Sequence, residues 1–128
     1  MKPLETILIV EDEDDLREIA RIALEDVGGF TVLGAASGAE ALALVERERP
    51  DLLVLDVMMP GMDGPTVLAR VRALPGLAGL PAVFMTAKAQ PDEVESLLAL
   101  GALAVIAKPF DPMALAEEIG HIWTSRER

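Results

Sequence analysis

Five times along this chain a short apolar run gives way to a segment whose apolar residues recur at helical spacing, and no other feature restricts the fold so strongly. Leu8, Ile9 and Val10 follow one another without alternation, the pattern of a strand buried on both faces. The period then changes. Leu16, Ile19, Ala20, Ala23 and Val27 fall at i, i+3, i+4, i+7 and i+11, which predicts an amphipathic helix ended by Gly28 and Gly29. Residues 30–35 read as a second strand, and Ser37 with Glu40 forms a capping box for a helix running to about Arg49. Residues 51–56 are a third buried strand, followed by the loop VMMPGMDG and by Pro65 as the first residue of a helix that turns Val67, Leu68 and Val71 inward. Residues 81–86 give a fourth strand, 92–100 a helix stopped by Gly101, and 103–107 a fifth strand. Asp111 then caps, and Pro112 starts, a last helix carrying Leu115, Ile119, Ile122 and Trp123.

Strand–helix units in this succession predict an α/β fold, a parallel sheet with helices on both faces, because right-handed crossovers leave few other solutions. Ligands of such sheets bind beyond the carboxyl ends of the strands. Glu11, Asp12, Asp56, Thr86 and Lys108 all stand there. If the first and third strands flank the point where strand order reverses, these residues converge on one crevice.

At 128 residues the chain has the size of one domain, and 52% hydrophobic residues support a continuous core. The 22 acidic against 11 basic side chains give a formal charge of −11, which disfavours direct nucleic-acid binding. No stretch approaches the roughly 18 apolar residues of a membrane span, and the first apolar run is too short for a secretory signal. A soluble, cytoplasmic protein without a membrane partner is expected. With no cysteine and the lone His121, thiol chemistry, disulfides and most histidine-based sites are excluded. The remaining chemistry belongs to carboxylates, hydroxyls and lysines.

Two carboxylates about 4 Å apart repel by roughly 4 kcal/mol at an effective dielectric near 20. A cluster of Glu11, Asp12 and Asp56 therefore needs a counter-charge or raised pKa values. An all-oxygen donor set suits Mg²⁺, which typically takes one or two carboxylates and fills its shell with waters and phosphate oxygens. A carboxylate beside that cation, Asp56, can attack phosphorus to form an aspartyl phosphate. Lys108 and the Thr86 hydroxyl can then hold phosphoryl oxygens. Each feature alone has a plainer reading: Glu13, Asp14 and Asp15 are a solvated helix start, Lys108 before Pro109 is an extended dipeptide, and threonine is common in strands. Together, however, they coincide at four strand ends, each delivering the residue type the chemistry needs.

The segments ILIVED, LLVLDVMMPGMDG, VFMTA and AVIAKPF, in this order and spacing over nearly the whole chain, resemble the receiver domain of two-component response regulators, the chemotaxis regulator among them. The resemblance implies a flavodoxin-like (βα)5 fold with strand order 2-1-3-4-5 over residues 1–128. It implies that Asp56 is the phosphoacceptor, that Asp12 ligates Mg²⁺ directly while Glu11 acts largely through water, and that Met58 contributes its backbone carbonyl. Thr86 matches the switch hydroxyl and Lys108 the phosphate-binding lysine, with a cis bond to Pro109. Met58 and Lys88 match variable positions that flank attacking water and so bear on phosphate lifetime. The implied partners are a sensor histidine kinase or histidine phosphotransfer protein and a downstream protein target, with room for a phosphorylation-dependent homodimer through helix 4, strand 5 and helix 5.

One position departs from the family. Where an aromatic residue commonly stands three before the lysine, this chain has Val105, so a muted readout, or one through the loop before helix 4, is expected. Arg70 and Arg72 read as solvated charges of helix 3. An aspartyl-nucleophile phosphatase would place a second Asp where Met58 stands, and a dinucleotide site would want a glycine fingerprint where the acidic pair stands. Ending at TSRER, the chain is expected to be a stand-alone regulator or a receiver unit of a larger one.

Overall fold

The computed structural model describes residues 2–126. The elements are β1 (Thr6–Val10), α1 (Asp14–Ile22), β2 (Thr31–Ala35), α2 (Gly38–Glu48), β3 (Leu52–Asp56), α3 (Gly64–Arg72), β4 (Ala82–Thr86), α4 (Pro91–Ala99), β5 (Ala104–Ala107) and α5 (Leu115–Ser125). All strand pairs are parallel in one sheet of order β2-β1-β3-β4-β5. This is the flavodoxin-like order.

Strand alternation divides the core in two. Leu8, Val10, Leu53, Leu55 and Phe84 meet Ala41 and Val45 of α2, Val67, Leu68 and Val71 of α3, and Leu97 of α4. Ile7, Ile9, Leu52, Val54, Val83, Met85 and Ile106 face the other way, against Ala20 of α1 and Leu115, Ile119 and Trp123 of α5. Both faces are covered, which is why the strand runs carry no polar alternation.

One helix end and two helix starts differ in detail from the periodic reading. α1 continues after Ile22 as a π-helical turn, Ala23–Val27. The wider turn shifts the register, so Leu24 takes the buried place and Val27 is 55% exposed, while Ile19, on the edge of the stripe, is 45% exposed. α3 begins at Gly64, one residue before Pro65, because Asp63 caps it by accepting the Thr66 N–H at 2.9 Å. Only glycine fits at 64, where a Cβ would fall 2.5 Å from the Asp56 carbonyl oxygen. Asp111 does collect N–H groups, its carboxylate accepting from Met113 and its carbonyl from Ala114 and Leu115, but residues 112–114 form a separate turn and α5 starts at Leu115. The Ser37 hydroxyl accepts from Glu40 N–H at 3.2 Å, as its cap position requires.

Arg72 is not a solvated charge. Its guanidinium, half-buried, donates to the carbonyls of Leu100 at 2.9 Å, Gly101 at 3.1 Å and Leu80 at 3.3 Å, tying the end of α3 to the end of α4. The bare carbonyls of a helix C-terminus attract a cation, and no local sequence pattern records which cation will reach them. Arg70 is exposed, as expected.

Candidate functional site

Register brings the site together. Val10 pairs with Leu55, so Glu11 leaves β1 level with Asp56 at the end of β3. Thr86 ends β4 one step beyond the pairing of Asp56 with Met85, and the N–H of Lys108 donates to the Thr86 carbonyl at 2.8 Å just past β5. The sequence-adjacent acids divide as expected: Glu13 precedes α1, Asp14 and Asp15 fill its first turn, and all three are exposed.

Glu11, Asp56 and Thr86 are 1%, 4% and 2% exposed, the buried polar residues of the described chain. The Lys108 ammonium donates to Glu11 Oε1 at 2.5 Å and lies 3.0 Å from Asp56 Oδ1. Glu11 Oε2 accepts from the Glu13 N–H at 3.1 Å. Burial pushes the Glu11 carboxyl above its ordinary pKa, against the pull of Lys108 and of the Glu13 N–H. Burial alone would lower the Lys108 amine, but its bonds to Glu11 and Asp56 prevail and hold it above the usual lysine value.

Carboxylate oxygens of Glu11, Asp12 and Asp56 come within 4.8 Å of one another. Asp12 is half-buried, which leaves a solvent side for waters. A compact set of hard oxygen donors without nitrogen or sulfur matches the preference of Mg²⁺. The Thr86 hydroxyl accepts from the Lys88 N–H at 3.0 Å and makes no bond to the acids or to Lys108. The Met58 side chain is 60% exposed, so any part it plays at a cation belongs to its backbone. Lys108 and Pro109 are joined by a cis bond. Val105 is half-buried, pairs with Phe84 and packs on the face that α2, α3 and α4 cover.

A family model described as the response regulator receiver domain matches residues 7–120. The chain belongs to that family. Receiver domains are phosphorylation-controlled modules of two-component signalling, generally Mg²⁺-dependent, that meet histidine kinases or phosphotransfer proteins and downstream targets. This receiver domain is 44% identical over 109 residues to an uncharacterized 14.6 kDa protein of Leptolyngbya boryana, covering 85% of the chain and 82% of that protein. It is 40% identical to sporulation initiation phosphotransferase F of Bacillus subtilis, covering 84% of each. Among solved structures it resembles the chemotaxis protein CheY4 of Vibrio cholerae, with a TM-score of 0.85, 30% identity, and coverage of 93% of this chain and 98% of that one. It spans about half the length of several response and transcriptional regulators that it matches. Among the described residues no helix is long and apolar enough to cross a membrane.

The sequence reading gives no role to Arg17, whose Nη1 donates to the Glu11 carbonyl at 2.8 Å. Its i,i+3 spacing from the exposed Asp14, which it also contacts, reads as an ordinary surface ion pair, so no local signal marked its reach to the Glu11 carbonyl.

Proposed function

We propose that the chain accepts a phosphoryl group on Asp56 from the phosphohistidine of a sensor kinase or histidine phosphotransfer protein, in a Mg²⁺-dependent reaction that alters its affinity for a downstream protein target. The observation that carries this reading is the buried Asp56 carboxylate held 3.0 Å from Lys108 within a cluster of three acids.

Glu11, Asp12, Asp56 and the Met58 carbonyl would hold the cation. Bound there, it would neutralise charge on the phosphoryl oxygens and bring them to the carboxylate. An Asp56 oxygen attacks phosphorus, the P–O bond forms, and the P–N bond breaks with its electron pair passing to the imidazole nitrogen. Lys108 is already placed to follow a phosphoryl oxygen. The Thr86 oxygen accepts from Lys88 and keeps its own proton to donate to a second oxygen. Glu11 supports the ammonium throughout. A signalling module of this kind turns over slowly on itself and is not a classical enzyme.

Intact-mass spectrometry after incubation with acetyl phosphate, with and without Mg²⁺, tests the reading. A single Mg²⁺-dependent phosphoryl adduct is expected in the wild type and none in Asp56→Asn. Asp12→Asn should lose nearly all labelling, and near-normal labelling of that variant would count against the cation site. Sedimentation of the phosphorylated protein decides whether the target includes a second copy joined through α4, β5 and α5.

A further inference from the structure

Arg17 lies on α1, yet its side chain reaches back over the end of the sheet and is mostly buried, 23% exposed. Nη1 donates to the Glu11 carbonyl at 2.8 Å and Nη2 to the Asp14 carboxylate at 2.6 Å. The stem crosses β2 at Gly34, where a Cβ would fall 3.3 Å from Arg17 Cδ. An alanine there would shift the stem by only a few tenths of an ångström, whereas the branches of a valine would occupy the space the stem crosses and push the guanidinium aside.

The carbonyl that Arg17 holds belongs to the peptide joining Glu11 to Asp12. The remaining polar groups of Glu11 are also engaged: its N–H donates to the Ala35 carbonyl at 3.0 Å, Oε2 accepts from Glu13 and Oε1 from Lys108. With the Arg17 bond in place, the peptide plane that carries the Asp12 side chain has little freedom to rotate. We infer that Arg17 is a positioning residue for the cation site, fixing Asp12 toward Asp56 without touching the cation itself. The inference rests on the reading of Glu11, Asp12 and Asp56 as cation ligands.

Charge and position pull in opposite directions here, and that makes the inference testable. Arg17 carries the same sign as Mg²⁺, so by charge alone its removal would tighten binding. Loss of the hydrogen bond that orients the ligand would weaken it, and residues that orient metal ligands typically contribute 10- to 100-fold to affinity. The sign of the change separates the two.

The experiment is calorimetric titration of the full chain with Mg²⁺ alone, for the wild type, Arg17→Gln, Arg17→Lys and Gly34→Val. Arg17→Gln should bind about ten-fold more weakly. Arg17→Lys, which can still reach the carbonyl with one donor, should recover part of that loss. Gly34→Val keeps every charge and displaces the stem, so it should also weaken binding. Binding by Arg17→Gln as tight as the wild type or tighter would overturn the inference. If Arg17→Gln does not fold, unchanged affinity in Gly34→Val overturns it instead. A wild type that binds no Mg²⁺ would bring down the cation reading and this one with it, a result distinct from tight binding in both wild type and variant.

Discussion

The Lys108 ammonium lies 3.0 Å from the Asp56 carboxylate although their strands are not neighbours, because the side chain reaches from the end of β5 across the end of β4 to β3 and on to Glu11 beyond β1. One lysine thus serves as counter-charge for two buried acids. Lys108→Ala leaves those acids facing each other unpaired, and the variant should lose about 3–5 kcal/mol of stability in the absence of divalent cations. Saturating Mg²⁺ should restore more stability to the variant than it adds to the wild type, where it competes with the lysine. Urea unfolding with EDTA and with Mg²⁺ checks both. A variant as stable as the wild type in EDTA would show that the acids do not depend on Lys108.

At the opposite end of the sheet Asp51 accepts from the Thr6 N–H at 3.0 Å and the Glu5 N–H at 3.1 Å and pairs with Lys2 at 2.6 Å. Burial works to raise its pKa, but these donors outweigh it and hold the carboxyl below the ordinary value of 3.8. A lowered native pKa contributes stability that is fully present above the unfolded value and lost as pH falls through the native one. Asp51→Asn should therefore cost about 1 kcal/mol at neutral pH. The difference should shrink on acidification below the ordinary aspartate range, and denaturant unfolding at the two pH values measures it. A penalty independent of pH would show that geometry, not charge, carries the contribution.

Arg72 and Gly101 form one unit. Gly101 has φ +95°, and a Cβ there would meet Arg72 Nη1 at 2.6 Å. Arg72→Ala removes three hydrogen bonds to the carbonyls of two turns, and Gly101→Ala both strains the backbone and expels the guanidinium. Each should destabilise by about 1–3 kcal/mol. Because the second change damages a contact the first has already removed, the double variant should lose less than the sum. A double-mutant cycle by chemical denaturation reads the coupling, and strict additivity would contradict it.

Val105 occupies the place from which a receiver domain commonly reports with an aromatic ring, and Arg72 holds the C-terminal end of α4. On binding the phosphate mimic beryllofluoride with Mg²⁺, amide NMR shifts should be concentrated at residues 57–59 and in the loop 87–90. The last turns of α4 should change little. Displacement of the whole of α4 would refute this restricted readout.

The elements that could be read directly are those whose signal is local. Strand runs such as 52–55 are apolar on both faces because helices cover both, and that condition is written into each residue. Ser37 and Asp111 act on N–H groups within four residues, so their places near helix starts follow from spacing even where the exact first residue shifts, whereas the Asp63 cap, one residue before Gly64, was hidden behind the signal of Pro65. The turn of α1 was less legible. A π-helical turn at Ala23 exchanges Val27 for Leu24 on the buried face, and nothing in the periodicity announces the change.

By itself the sequence determined the kinds of groups available, the alternation of strand and helix, and the placement of Glu11, Asp12, Asp56, Thr86 and Lys108 at strand ends. Tertiary structure decided which of these meet. Strand order and register bring Lys108 to Glu11, 97 residues away in the chain, leave the Thr86 hydroxyl on its own neighbour Lys88, and turn Arg17 and Arg72 from surface cations into clamps on backbone carbonyls. The reason is physical: propensity, capping and burial pattern act over a few residues, whereas an ion pair or a gripped carbonyl depends on distances set only when separate strands and helices pack.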